Sequence, residues 1–237
     1  SIGCSLHTMR SIAVHTSYQV EDLNHLANNA QLKGVVCGKQ EMNNFFNLLS
    51  KYPNVIKFIV CMDPLSEEEI SSLRQEHQLP DTILLSSLEA VEAIGQTTRP
   101  FEDSELSGHC SKSIFTLQYT SGSTGKPKGV VITDEAFNYD LVSRGSSTDR
   151  GLTVSYEPLA HSSFDNDVIH FCSGSPIVLY EDDMGDQFFA DLQVSNPTSM
   201  AGVPRIYNSI HSQYKLLLDQ RILNAGDITR EEKKKIE

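Results

Sequence analysis

Short β-branched runs alternate with amphipathic helical stretches along most of this chain, and that rhythm limits its architecture more than any other feature of the sequence. Residues 12–14 read as a strand, and Val20, Leu23, Leu26, Ala27 and Ala30 follow at helical spacing. Residues 34–37 give a second strand, and Met42, Phe45, Phe46 and Leu49 the next apolar stripe. Residues 55–61 form a third strand, whose almost continuous apolar character suits one covered on both faces. Ser66 with Glu69, and Ser86 with Glu89, have capping-box spacing and open helices on either side of a short strand at 83–85. Polar, aperiodic residues 96–113, with Pro100 and Gly108, read as a linker between a βα-repeat subdomain at 1–95 and a second βα subdomain at 114–237. There the strands are 114–119, 129–132, 152–156, 176–180 and a short one near 198–201. Helices run from Asp134 to about residue 144, after His161, through Phe188, Phe189 and Leu192, and onward from Pro204. Such alternation predicts an α/β fold of mostly parallel sheets flanked by helices, built from right-handed βαβ units.

Nineteen basic residues stand against 31 acidic ones, a formal net charge of −12. A field of that sign repels nucleic acid and anionic membranes, so any bound anion must be held by a local constellation. The longest apolar run, 55–62, is short and carries Lys57, which excludes a transmembrane segment within these residues. Cys4, Cys37, Cys61, Cys110 and Cys172 are odd in number, scattered and never in a C-x-x-C pair. This argues against a disulfide framework or a zinc ribbon and for an intracellular setting, in the cytoplasm or at the cytoplasmic face of an organelle membrane. The start, Ser-Ile-Gly-Cys, has no signal-peptide pattern.

The chemically informative stretch lies between two of these strands: Tyr119-Thr120-Ser121-Gly122-Ser123-Thr124-Gly125-Lys126-Pro127-Lys128-Gly129-Val130. Glycine permits the left-handed turns that aim successive backbone N–H groups into one concavity, which suits an anion. Hydroxyls add short donors, and the two lysines add charge that a phosphate chain can use. A Walker A loop is excluded, because Pro127 stands five positions after Gly122. No G-x-S-x-G elbow or H-E-x-x-H pair occurs either.

This stretch resembles, residue for residue, the phosphate-binding signature of the AMP-forming acyl-CoA synthetases and other adenylate-forming enzymes. Ser155-Tyr156-Glu157-Pro158-Leu159-Ala160-His161 is similar to the Pro-Leu-Ala-His segment of the long-chain fatty-acid–CoA ligases in that family. Asn196-Pro197-Thr198 and Gly202-Val203-Pro204-Arg205-Ile206-Tyr207 are similar to their Pro-Thr…Val-Pro-Arg segment. The resemblance implies part of a large N-terminal adenylate-forming domain, with ATP, a fatty acid and CoA as substrates and Mg²⁺ as cofactor. By resemblance, Thr120 is the Mg²⁺ or phosphate ligand, Ser121, Gly122, Ser123, Thr124 and Gly125 wrap the β,γ-phosphates, and Lys126 and Lys128 add charge. Lys128 is equally readable as a structural residue paired with an acid. The resemblance of its Pro-Leu-Ala-His context makes His161 a substrate-side group near the acyl carbonyl, where a lone His at a strand end otherwise reads as a hydrogen-bonded structural residue. Arg205 either positions a helix or faces substrate.

Three departures bear on the acyl pocket. Glu157 stands where an apolar residue is usual, and Asp134 replaces a His. After His161, Ser162-Ser163-Phe164-Asp165 slips the match by about one residue. The family's Tyr-Gly-x-Thr-Glu, Thr-Gly-Asp and mobile-domain Lys motifs belong further along, so the resemblance implies an internal portion of a larger domain, inactive in isolation. Peripheral membrane association of the parent stays open. The rival readings are another adenylating ligase, for medium-chain or aryl acids, and a non-catalytic phosphate-binding or interaction module.

Overall fold

The structure, a computed structural model, describes residues 9–99, 102, 110–120, 125–145, 151–157, 164–180 and 186–224. These residues cluster into two units, one running through Tyr139 and the other from Asp140 onward.

In the first unit, β1 (Gly34–Cys37), β2 (Phe58–Cys61) and β3 (Leu84–Ser87) form a parallel sheet in that order. Val35 pairs with Ile59, and Ile59 with Leu85. Helices α1 (Val20–Asn29), α2 (Met42–Lys51), α3 (Glu67–Glu76) and α4 (Leu88–Thr97) precede, link and follow these strands. Parallel neighbours need crossovers, and α2 and α3 supply them. The apolar stripe of α2 is buried at Met42, Phe45, Phe46, Leu48 and Leu49. It shares one core with Leu23 of α1 and with Ile59, Cys61 and Leu85 of the sheet. The side chains of Val36 and Leu84 turn outward, as the period-two alternation of a strand requires.

Local chemistry shifts several expected boundaries. The third strand begins at Phe58, because Asn54 sits in a left-handed turn with φ of 70°. The ladder is engaged only from Lys57, whose N–H donates to the Lys33 carbonyl and whose own carbonyl accepts from Leu84 N–H. Ser66 and Glu69 make the expected capping box at the start of α3. At α4 the cap is Ser87, which accepts from Ala90 N–H, and not Ser86, because β3 runs two residues further than the apolar run indicates, through Ser87 itself. Residues 12–14 form no ladder. A lone parallel bridge joins Ser11 to Thr116, reinforced by the Thr116 hydroxyl donating to the Ser11 carbonyl at 2.7 Å.

β4 (Ile114–Thr120) and β5 (Lys128–Thr133) are antiparallel, the exception among the strand pairs of the described residues. Their connection is too short for a crossover. This ribbon clusters with the first unit rather than with the residues after it, and α5 (Asp134–Gly145) follows it. Phe137 stacks on Phe115 at 4.1 Å between centroids.

In the second unit, β6 (Thr153–Ser155) and β7 (Ile177–Leu179) pair in parallel, linked by α6 (Phe164–Cys172). Thr153 also bridges Ser199 in parallel. α7 (Asp186–Ser195) and α8 (Pro204–Asn224) complete it, with Pro204 at a helix start, where its missing N–H costs nothing. Phe188 is buried against Tyr156, Tyr180 and Phe189. Among the described residues, no helix is long and apolar enough to cross a membrane.

Candidate functional site

Antiparallel register places Thr120 directly opposite Lys128, and Tyr119 opposite Gly129. The hydroxyl and the ammonium expected to meet phosphate therefore flank one another across the root of the glycine-rich loop, and both residues are exposed. Gly125 has φ of +118°, and a Cβ added there would meet nothing within 4 Å. Open space with a conformation that L residues avoid explains why glycine stands there. Lys126 is exposed and Pro127 buried. Among the described residues no carboxylate forms an ion pair with Lys128. Ser121, Gly122, Ser123 and Thr124 lie outside the described residues, as does His161.

Both stems of this loop are tied to α1. The His25 Nε2 lies 3.1 Å from the Pro127 carbonyl, an atom that only accepts, so the imidazole donates. Tyr119 donates its hydroxyl to Asn29 Oδ1 at 2.6 Å. Burial, with a smaller contribution from Tyr18, holds the Tyr119 phenol above its ordinary range, so it stays protonated and able to donate. Its ring lies over Gly129, where an added Cβ would stand 3.0 Å from the Tyr119 Cζ.

The second unit carries a cavity of about 330 Å³ beside β6, lined by Ser155, Tyr156, Glu157, Asp167, His170 and Met200 among others. Its lining extends past β6 to Tyr156 and Glu157, at the carboxyl end of the strand, the end at which open parallel sheets present their ligand sites. The Ser155 hydroxyl donates to Asp167 Oδ2 at 2.5 Å. Burial raises the Asp167 carboxyl above its usual range, against the opposing pull of Ser155 and His170. Burial followed by the nearby Glu157 raises Tyr156, whose hydroxyl donates to Glu157 Oε1 at 3.4 Å. Arg205 lines a separate depression of about 540 Å³ with Phe189 and Asn208. Among the described residues no group of three or more His, Cys, Asp or Glu side chains could hold a metal ion. Of this pair only the Thr120 hydroxyl could offer an oxygen to Mg²⁺, an ion commonly bound through phosphate and water with few protein ligands, while the Lys128 ammonium suits the phosphate itself.

Sequence reasoning missed His25, Asn29 and Asp167. Nothing local pairs a helix near the N-terminus with a loop a hundred residues on. Asp167 gave one signal, an acid beside the apolar stretch of an amphipathic helix.

Comparison with known proteins agrees with this geometry. The sequence model of one family, AMP-binding enzyme, matches residues 1–235. Fatty acyl-CoA synthetase A of Dictyostelium discoideum is 26% identical over 212 residues, covering 87% of this chain and 30% of that protein. Long chain acyl-CoA synthetase 7, peroxisomal, of Arabidopsis thaliana is 26% identical over 216 residues, covering 88% of this chain and 29% of its own length. This chain therefore spans about 30% of the length of the curated relatives it matches. Among solved structures, the A-PCP didomain of carboxylic acid reductase from Segniliparus rugosus in complex with AMP shares the fold, with a TM-score of 0.71 and 20% identity over 94% of this chain and 32% of that one. A family match over nearly every residue establishes that the chain belongs to the AMP-binding enzyme family, that of the adenylate-forming acyl-CoA ligases.

Proposed function

We propose that this chain carries the phosphate-binding wall of a long-chain fatty-acid–CoA ligase that activates its acid as an acyl-adenylate and passes the acyl group to CoA. The observation that carries the reading is the pairing of Thr120 with Lys128 across the root of the loop, above a glycine in a conformation reserved for glycine. The first step sets a carboxylate against the α-phosphate of ATP, an anion approaching a polyanion. Positioning and neutralisation are the main tasks of such a site. Lys126 and Lys128 neutralise the phosphate tail, and Ser121 to Gly125 offer hydroxyls and amides to it. The Thr120 hydroxyl holds Mg²⁺ or a phosphate oxygen, and bound Mg²⁺ supplies further charge neutralisation. His161 serves the acyl side, close to the carbonyl. The setting is intracellular, with peripheral membrane association open to the whole protein.

One observation favours a second reading of the acid. The cavity beside β6 places Glu157 and Asp167 where a plain hydrocarbon chain gains nothing from them, which supports a shorter or more polar acid. Thioester formation by the full-length protein from palmitate, Mg·ATP and CoA tests the first reading. Pyrophosphate release with medium-chain or aryl acids but not palmitate selects the second. Absence of both with every acid leaves a non-catalytic phosphate-binding module. The 237-residue chain alone is expected to release no pyrophosphate.

A further inference from the structure

We infer that His25 and Asn29 are positioning residues for the nucleotide, two polar ties through which one face of α1 fixes both stems of the glycine-rich loop. The inference rests on reading that loop as the ATP phosphate site. A two-stranded ribbon is marginal by itself. The residues of β5 from Lys128 through Val131 are exposed, so burial does little to hold that strand. The loop needs support from elsewhere, and the structure supplies it at two points. At the exit, the His25 ring donates to the Pro127 carbonyl at 3.1 Å. That carbonyl belongs to the planar peptide unit carrying the Lys128 amide, so fixing it sets the direction in which Lys128 leaves the loop. At the entry, the Tyr119 hydroxyl reaches Asn29 at 2.6 Å, and Tyr119 immediately precedes Thr120.

The geometry is economical. His25 and Asn29 are four residues apart and share one helix face. Leu23, Leu26 and Ala27 bury α1 in the first unit, so the platform is fixed before it touches the loop. The Tyr119 ring can cross to Asn29 only because its cross-strand neighbour is Gly129, over which it lies. Ordinary packing accounts for none of this, since both contacts are directional hydrogen bonds and each ends on a different stem. His25 donates whether neutral with a proton on Nε2 or fully protonated, so the exit tie does not depend on its charge.

The test is Mg·ATP binding by equilibrium dialysis, with KM values for ATP and for the acid, on the full-length protein and its H25A, H25Q and N29A variants. H25A and N29A are each expected to weaken ATP about three- to tenfold, the size of one hydrogen bond's net contribution, with the KM of the acid unchanged. H25Q, which keeps a donor, recovers most of the loss. If H25A does not fold, N29A carries the same test, because Asn29 is exposed. ATP affinity unchanged in N29A and H25A overturns the inference. So does a parallel loss of ATP and acid affinity with a lowered melting temperature, the mark of a merely structural role. Wild-type protein that binds no ATP overturns instead the phosphate-site reading, and the inference falls with it.

Discussion

β2 and β5 are both short and apolar, yet three of the four β2 residues are buried while four of the six in β5 are exposed. Each sheet also sets a glycine against an aromatic ring. In the parallel sheet, a Cβ on Gly34 would lie 2.2 Å from the Phe58 ring; in the ribbon, one on Gly129 would lie 3.0 Å from that of Tyr119. In the first case the contact lies on the sheet face that Leu84 shares, opposite the core of Ile59, Cys61 and Leu85. In the second it delivers a hydroxyl to a helix and leaves the adjoining residues, Thr120 and Lys128, free to face solvent. The difference teaches where stability and chemistry are separated in this chain. The parallel sheet is held by burial; in the ribbon β4 is buried at Phe115, Thr116 and Tyr119, while β5 stays exposed and polar ties hold the stems of its loop.

The largest expected contrast is chemical. Burial, then the neighbouring Cys61, pushes the Cys37 thiol up to about 12, whereas the Ser113 hydroxyl beside exposed Cys110 lowers that thiol. At pH 8 the thiolate fractions imply that iodoacetamide labels Cys110 more than about a thousandfold faster than Cys37 in the folded protein, read by peptide mass spectrometry. Comparable rates would mean that the sheet opens readily. The same shift gives a pH dependence. Because the folded thiol of Cys37 titrates above its ordinary 9.0, its contribution to stability is complete below that pH and is lost as pH rises toward about 12.

Truncation in the two regions differs next. Phe46 is 2% exposed and stacked on His77, so F46A should cost about 3–5 kcal/mol in urea unfolding. Val130 is 50% exposed, and V130A should stay within about 0.5 kcal/mol. Equal losses would erase the distinction drawn between sheet and ribbon. Adding a methyl sharpens it: G34A is expected to cost about 1–3 kcal/mol of stability by overpacking, while G129A acts mainly by shifting Tyr119 and so raises the KM for ATP. The smallest effect is at a helix start. S66A removes one half of the capping box on α3 and should cost about 1 kcal/mol, with no change in ATP binding.

How far the sequence reveals this molecule follows the same division. Where burial repeats with a fixed period, as at Met42, Phe45, Phe46 and Leu49, the residues announce their helix and its inner face. The capping box at Ser66 is equally explicit, because both partners lie within one turn. At α4 the same spacing points to Ser86, and only the length of β3 moves the cap to Ser87. The composition of the loop is readable as anion chemistry, but its support is not. The ties from His25 to Pro127 and from Asn29 to Tyr119 join residues about a hundred positions apart, and no local pattern encodes them. Asp167 meets Ser155 only because a crossover returns α6 to β6.

The most direct test of the central claim is equilibrium binding of Mg·ATP and of adenosine to the full-length protein and its K128M variant. If the loop between Thr120 and Lys128 holds the phosphates, ATP binds saturably and far more tightly than adenosine. K128M should then lose about ten- to a hundredfold for ATP, the scale of a hydrogen bond to a charged group, and nothing for adenosine. Equal affinity for the two ligands, or ATP binding indifferent to the loss of Lys128, would contradict the account.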